Sequence, residues 1–127
     1  MNADFTSEES SVETQLQQLD ESLALSRVGG DVDLLKEVVE LFLDDYPDTL
    51  EKIKAAVVSR DATALEHHAH SLKGSVSTFG ANRAFEAAFA LEKQGRGGDL
   101  TNAQDGLLQL EKALEALRPE LVLLQTK

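Results

Sequence analysis

The sequence predicts an all-α fold: an up-and-down antiparallel four-helix bundle with a short extra N-terminal helix. Apolar residues recur at helical spacing through most of the 127 residues. Sustained strand-like alternation between turn signals does not occur. The segments between periodic runs are short, which makes consecutive helices antiparallel neighbours.

The first 11 residues are polar and rich in Ser and Glu, and a flexible arm is expected there. Residues 12–127 are expected to form one domain. From Val12, the positions Leu16, Leu19, Leu23 and Leu25 mark a short amphipathic helix that stops at Gly29 and Gly30. Asp31 caps the next helix, whose apolar stripe runs through Leu34, Leu35, Val38, Val39, Leu41, Phe42 and Leu43. Pro47 predicts a kink or a restart, because proline is tolerated in a first turn and not in a helix interior. Beyond it, Leu50, Ile53, Ala56 and Val57 resume the stripe.

Asp61 caps a helix that carries every histidine and runs to about Phe79. Gly80 permits a turn, and "ANRAFEAAFALEK" continues as an alanine-rich helix. The composition of "GRGGD" predicts a loop. Thr101 with Gln104 fits a capping box for a last helix through Leu107, Leu110, Leu114 and Leu117, which Pro119 ends or bends.

Charge narrows the partners. Twelve basic residues stand against 23 acidic ones, for a formal charge of -11. Such acidity disfavours nucleic acid and anionic membranes, both of which reward a basic surface, and leaves proteins or a cation. The absence of cysteine excludes disulfides, thiol catalysis and cysteine-bound zinc. The N-terminus has neither the basic flank nor the apolar stretch of a secretory signal, and no apolar run approaches a membrane span, so the cytoplasm is expected.

The stretch "HHAHSLKGSVSTFG" is where chemistry concentrates. With Leu65 at zero on a helical wheel, Ala69, Leu72, Val76 and Phe79 fall within about 40° and form the core stripe. His68 lies about 60° to one side, at the core's edge, and His67 is solvated. His70 lies about 140° away, with Gly74 and Ser77 as wheel neighbours and Lys73 one turn on. A glycine on an exposed helix face costs about 1 kcal/mol relative to alanine. Gly74 points away from the core, so helix packing explains it poorly, whereas an open approach to His70 explains it well. A neutral imidazole is nucleophilic near physiological pH and takes up a phosphoryl group covalently. Lys73 supplies charge for the transferred group, and Ser75 and Ser77 supply hydroxyl donors.

These residues resemble a known family. "AHSLKGSVSTFGA" is similar to the signature of histidine-containing phosphotransfer (HPt) domains: a His followed by x-x-Lys-Gly-Ser, and a Gly-Ala pair at the helix end. The order of elements upstream and "LEKQGRGGDL" downstream extend the likeness over about residues 16 to 118. The resemblance implies that His70 is phosphorylated on Nε2, that Lys73 neutralises the phosphoryl group and that Gly74 admits the partner. His67, Glu66 and Ser77 would border the docking surface. Arg96, in the loop after the next helix, falls where some members carry a basic residue. Glu92 falls where several members orient the histidine with a glutamine; a carboxylate would do so by pairing with an Nδ1 proton.

Such proteins carry phosphoryl groups between aspartates of receiver domains in phosphorelays and have no kinase activity of their own. The Mg²⁺ resides on the receiver, so no cofactor is expected here. A monomer is expected, since one bundle consumes the apolar stripes. The chain opens on Met1 without a fused receiver, which favours a stand-alone protein; a domain cut from a hybrid sensor kinase, with the polar arm as its linker, fits equally. Three other readings remain. The dimerisation domain of a histidine kinase usually shows His-Glu, whereas Ser71 follows His70. A metal-binding bundle would use His67 and His70 at (i, i+3), with Glu66. An adaptor of the same fold would bind a protein without phosphotransfer.

Overall fold

The computed structural model describes residues 18–126. Five helices follow in order: α1 (Glu21–Arg27), α2 (Val32–Ser59), α3 (Ala62–Ser77), α4 (Asn82–Gly97) and α5 (Ala103–Gln125). Three of their starts carry an aspartate whose carboxylate accepts a backbone N–H of the first turn. Asp20 caps α1, Asp31 caps α2 and Asp61 caps α3. Each such cap is worth about 1 kcal/mol.

The long helices form a ring in which α2 packs on α3, α3 on α4, α4 on α5, and α5 back on α2. Cross-helix pairs fix the directions. Tyr46 meets Arg118 while Lys54 meets Glu111, so α2 and α5 run antiparallel. Glu66 meets Arg96 while His70 meets Glu92, so α3 and α4 do as well. Residues Leu35, Ile53, Leu65, Leu91, Leu110 and Leu117 fill the centre at 2% exposure or less. Each such side chain contributes roughly 1.5–3 kcal/mol relative to remaining in water. Phe42 adds an edge contact to Phe79 and stacks on Tyr46. The helix α1 lies across one end, and Asp20 donates its backbone N–H to the Phe79 carbonyl.

Several expectations need correction. Of the stretch expected to be helical from Val12, residues 18–20 are not, and the described helix starts at Glu21 with Asp20 as its cap. The part of it from Val12 to Leu16, like the arm of residues 1–11, lies outside the described residues. There is no restart at Pro47, which stands exposed inside one 28-residue helix. Buried Phe42 before it and Ile53 after it anchor the same face, and that packing outweighs a proline cost of about 3 kcal/mol. Pro119 likewise does not end α5, because Leu117 and Leu121 are buried on both sides of it. The capping box at Thr101 and Gln104 is not formed: the Thr101 hydroxyl donates instead to Asp99, and α5 starts at Ala103 without a side-chain cap.

Helix α3 ends at Ser77 rather than Phe79, and Gly80 makes the expected turn at φ +61. The largest departure is at "GRGGD". Gly95, Arg96 and Gly97 are helical, and α4 stops only at Gly98. A Cβ on Gly95 would stand 2.6 Å from the Glu66 backbone nitrogen and 2.7 Å from the Ala62 carbonyl oxygen. This glycine allows α4 to press against α3; it does not loosen the chain.

Candidate functional site

The close α3–α4 pair positions the site. His70 projects from α3 with its side chain 67% exposed, and its ring Nδ1 is 3.1 Å from Glu92 Oε2 on α4. Glu92 is 2% exposed, a buried acid in an otherwise apolar stripe. A buried charge survives only when paired, and Glu92 is paired on every side. The Lys73 ammonium lies 2.7 Å from Oε1, the Arg96 guanidinium 2.6 Å from Oε2, and His70 completes the set.

These contacts hold the Glu92 carboxyl below its ordinary value, the Lys73 hydrogen bond most of all, followed after the opposing effect of burial by that of His70. An ionised carboxylate accepts only, so Nδ1 of a neutral His70 carries the ring hydrogen and Nε2 keeps its lone pair. A depressed folded-state pKa contributes stability above the ordinary carboxylate range, and that contribution is lost as pH falls through the lowered value. An acid titration followed by circular dichroism should therefore show less acid destabilisation in Glu92→Gln than in wild type over that window. Parallel curves would mean that the pairing contributes nothing to stability.

The expected site residues are brought together to different degrees. Arg96 stands in the last turn of α4, not in a loop, and also donates from Nε to Glu66 at 2.9 Å. Glu66, His67, His70, Glu92 and Arg96 line one shallow open depression together with Thr63, which the sequence reading missed. Thr63 sits two turns before His70, a spacing that carries the signal. Lys73 faces the core more than expected, its side chain 19% exposed and its ammonium 4.7 Å from the centre of the Phe89 ring. Phe89, also missed, lies three residues before Glu92 and so shares its face.

Gly74 is open: a Cβ there would meet nothing within 4 Å. Among the described residues, no packing contact needs this glycine. The two serines differ from expectation, because Ser77 donates its hydroxyl to the Gly74 carbonyl and Ser75 donates to that of Ser71. Both hydroxyl hydrogens are spent on their own helix. His67 is exposed and makes an edge contact with His68 rather than pairing with His70. His68, half-buried at the border with α2, is held below its ordinary pKa by burial first, then by His67 and Lys52. Among the described residues, no group of three or more His, Cys, Asp or Glu side chains is placed to hold a metal ion.

An imidazole on an open helix face, held by a buried carboxylate and flanked by two cations, has the chemistry to take up a phosphoryl group. The family model described as "Hpt domain" matches residues 37–120. The chain belongs to the Hpt domain family. Hpt domains are phosphocarriers of phosphorelays, and this chain is a histidine phosphotransfer protein.

The Hpt fold is shared with solved structures. Histidine-containing phosphotransfer protein B from Pseudomonas aeruginosa superposes with a TM-score of 0.80 at 28% identity, over 86% of this chain and 95% of that one. The Hpt domain of a sensor hybrid histidine kinase from Shewanella superposes at 0.76 with 21% identity, over 87% and 96% respectively. At that lower identity the likeness is one of fold. Comparison with curated proteins finds no match.

Proposed function

We propose that His70 is the residue of this Hpt domain that carries the phosphoryl group, accepting it on Nε2 from a receiver aspartate and passing it to another. The observation that supports this most is the His70–Glu92 contact. It commits Nδ1 as a donor and leaves Nε2 as the nucleophile on a ring that is two-thirds in solvent. Lys73 and Arg96 stand on long tethers beside the acceptor, and either cation can turn from Glu92 toward an incoming dianion. The carrier has no kinase activity of its own, and the Mg²⁺ is the receiver's.

In this reading Gly74 clears the surface across which the receiver docks, with Glu66, His67 and Ser77 at its border. The protein is a cytoplasmic monomer of one domain with a polar arm, and no described helix is long and apolar enough to cross a membrane. Phosphoramidate should add one phosphoryl group, labile in acid and stable in base, as read by intact mass. An unmodified protein would remove the carrier reading and favour an adaptor.

The role of Gly74 has its own test. Gly74→Ala adds a methyl group into open space and should stabilise the helix by about 1 kcal/mol or less. Labelling by phosphoramidate should persist, while transfer from a phosphorylated receiver slows several-fold. A variant that exchanges with receivers at the wild-type rate would assign Gly74 no part in docking.

A further inference from the structure

Taking His70 as the acceptor, we infer that Phe89 is a positioning residue for Lys73. Its ring face holds the Lys73 ammonium beside the acceptor without consuming the donors that the phosphoryl group needs. Lys73 and His70 meet opposite oxygens of the same Glu92 carboxylate, with the Lys73 Nζ at 2.7 Å from Oε1. That carboxylate is one support for the lysine. The other is aromatic. Nζ stands 4.7 Å from the centre of the Phe89 ring and 6.0 Å from that of Phe85. The two rings are half-buried neighbours on α4, their centres 6.1 Å apart, at the (i, i+4) spacing that puts them on one face.

The supports differ in kind. A carboxylate takes a hydrogen bond from the ammonium, whereas a π face attracts the charge and leaves the N–H donors free. The attraction grows as the cation is withdrawn from water, and the Lys73 side chain is only 19% exposed. Once a phosphoryl group sits on Nε2, its oxygens compete with Glu92 for the ammonium. A lysine that turns toward them can stay over the Phe89 ring, so its four-carbon stem is already ordered when the charge arrives. With an aliphatic residue at position 89, Lys73 would be held only by the partner it must leave. Arg96 is anchored in another way, between the carboxylates of Glu66 and Glu92. Lys93 provides a contrast on the same ring: its ammonium is 4.5 Å from the Phe89 centre, but the residue is exposed.

The test uses the full chain with phosphoramidate as donor and follows the rate of labelling by intact mass. In that step the Nε2 lone pair forms the new N–P bond, the donor's own P–N bond breaks, and its electron pair leaves with ammonia. Phe89→Leu keeps apolar bulk and removes the π face, and it should label about three- to tenfold more slowly than wild type. Phe89→Tyr restores the face and should return to within about twofold of wild type. In a Lys73→Met background, Phe89→Leu should change the rate by less than about twofold, because the ring acts through that lysine. Lys93→Ala should stay within about twofold of wild type, since the Lys73 contact is left in place.

Equal rates for Phe89→Leu and wild type would overturn the inference and leave His70 as the acceptor. A loss that Phe89→Tyr does not restore, or that persists without Lys73, would make Phe89 a packing residue and overturn it too. A Lys93→Ala rate as low as that of Phe89→Leu would do the same by moving the effect to Lys93.

A second measurement needs no variant. In spectra of the lysine ε-methylene groups, the Phe89 ring should shift the Lys73 signal upfield of the exposed lysines, and the shift should survive labelling. A Lys73 signal among those of the exposed lysines, before or after labelling, would overturn the inference even if the variants do not fold. Failure of wild type to label at all is a separate result, since it removes the carrier reading and this inference with it.

Discussion

His70→Gln should abolish labelling by phosphoramidate and leave the melting temperature within about 5 °C of wild type. Both halves follow from where the residue sits. The ring is 67% exposed and, among the described residues, makes a single hydrogen bond, to Glu92. A hydrogen bond of that kind is worth roughly 0.5–1.5 kcal/mol net, and up to about 3 when one partner is charged. The glutamine amide can also donate to the same carboxylate, which recovers part of it. Nothing in the core depends on the imidazole, because Leu65, Ala69, Leu72 and Val76 fill the buried stripe of the helix. What the variant lacks is a nucleophilic nitrogen. Intact mass and a thermal melt on the same sample decide the matter. Equal labelling would move the acceptor to another residue; a collapse in melting temperature would make His70 structural.

The opposite pattern is expected at Gly95. Gly95→Ala places a methyl group 2.6 Å and 2.7 Å from backbone atoms of Glu66 and Ala62, which cannot swing away as a side chain can. The helices must separate. Overpacking of this kind costs about 1–3 kcal/mol, and the higher helix propensity of alanine returns somewhat under 1 kcal/mol. The melting temperature should fall by roughly 4–8 °C in a chain of this size. Labelling of His70 should persist while receiver exchange weakens, since the Glu66–Arg96 and His70–Glu92 contacts span the widened seam. A melting temperature at or above that of wild type would show that the α3–α4 seam has slack. Gly74→Ala is the control, as the same substitution one helix away enters empty space.

These two glycines also show how far the sequence could be read. Gly74 was legible because the wheel turned it from the core and set it beside His70. Gly95 was not, since "GRGGD" has the composition of a loop and only the neighbouring backbone of α3 gives it another purpose. Arg96 followed Gly95 into that error. The helix identities and the aspartate caps at Asp31 and Asp61 were readable, being set by local periodicity and by a side chain reaching its own first turn. Pro47 and Pro119 were misleading for a shared reason: local penalties suggested breaks, and buried leucine, isoleucine and phenylalanine on either side overrode them. Glu92 was placed by resemblance alone. Its burial depends on Arg96, one turn further along its own helix, and on Lys73 from the neighbouring helix, a meeting that no local pattern announces.

The pressed seam at Gly95 has a kinetic consequence. His70, Glu92 and Arg96 are mounted on two helices whose backbones touch, so the His70 ring is held in place before any partner arrives. Docking then immobilises few torsions, and little of the association free energy is lost to ordering. A complex that forms without rearrangement need not bury a large surface to be productive, and a small surface releases quickly. For a relay intermediate that must quit one partner before meeting the next, short residence is the useful property, and a stiff helix pair supplies it.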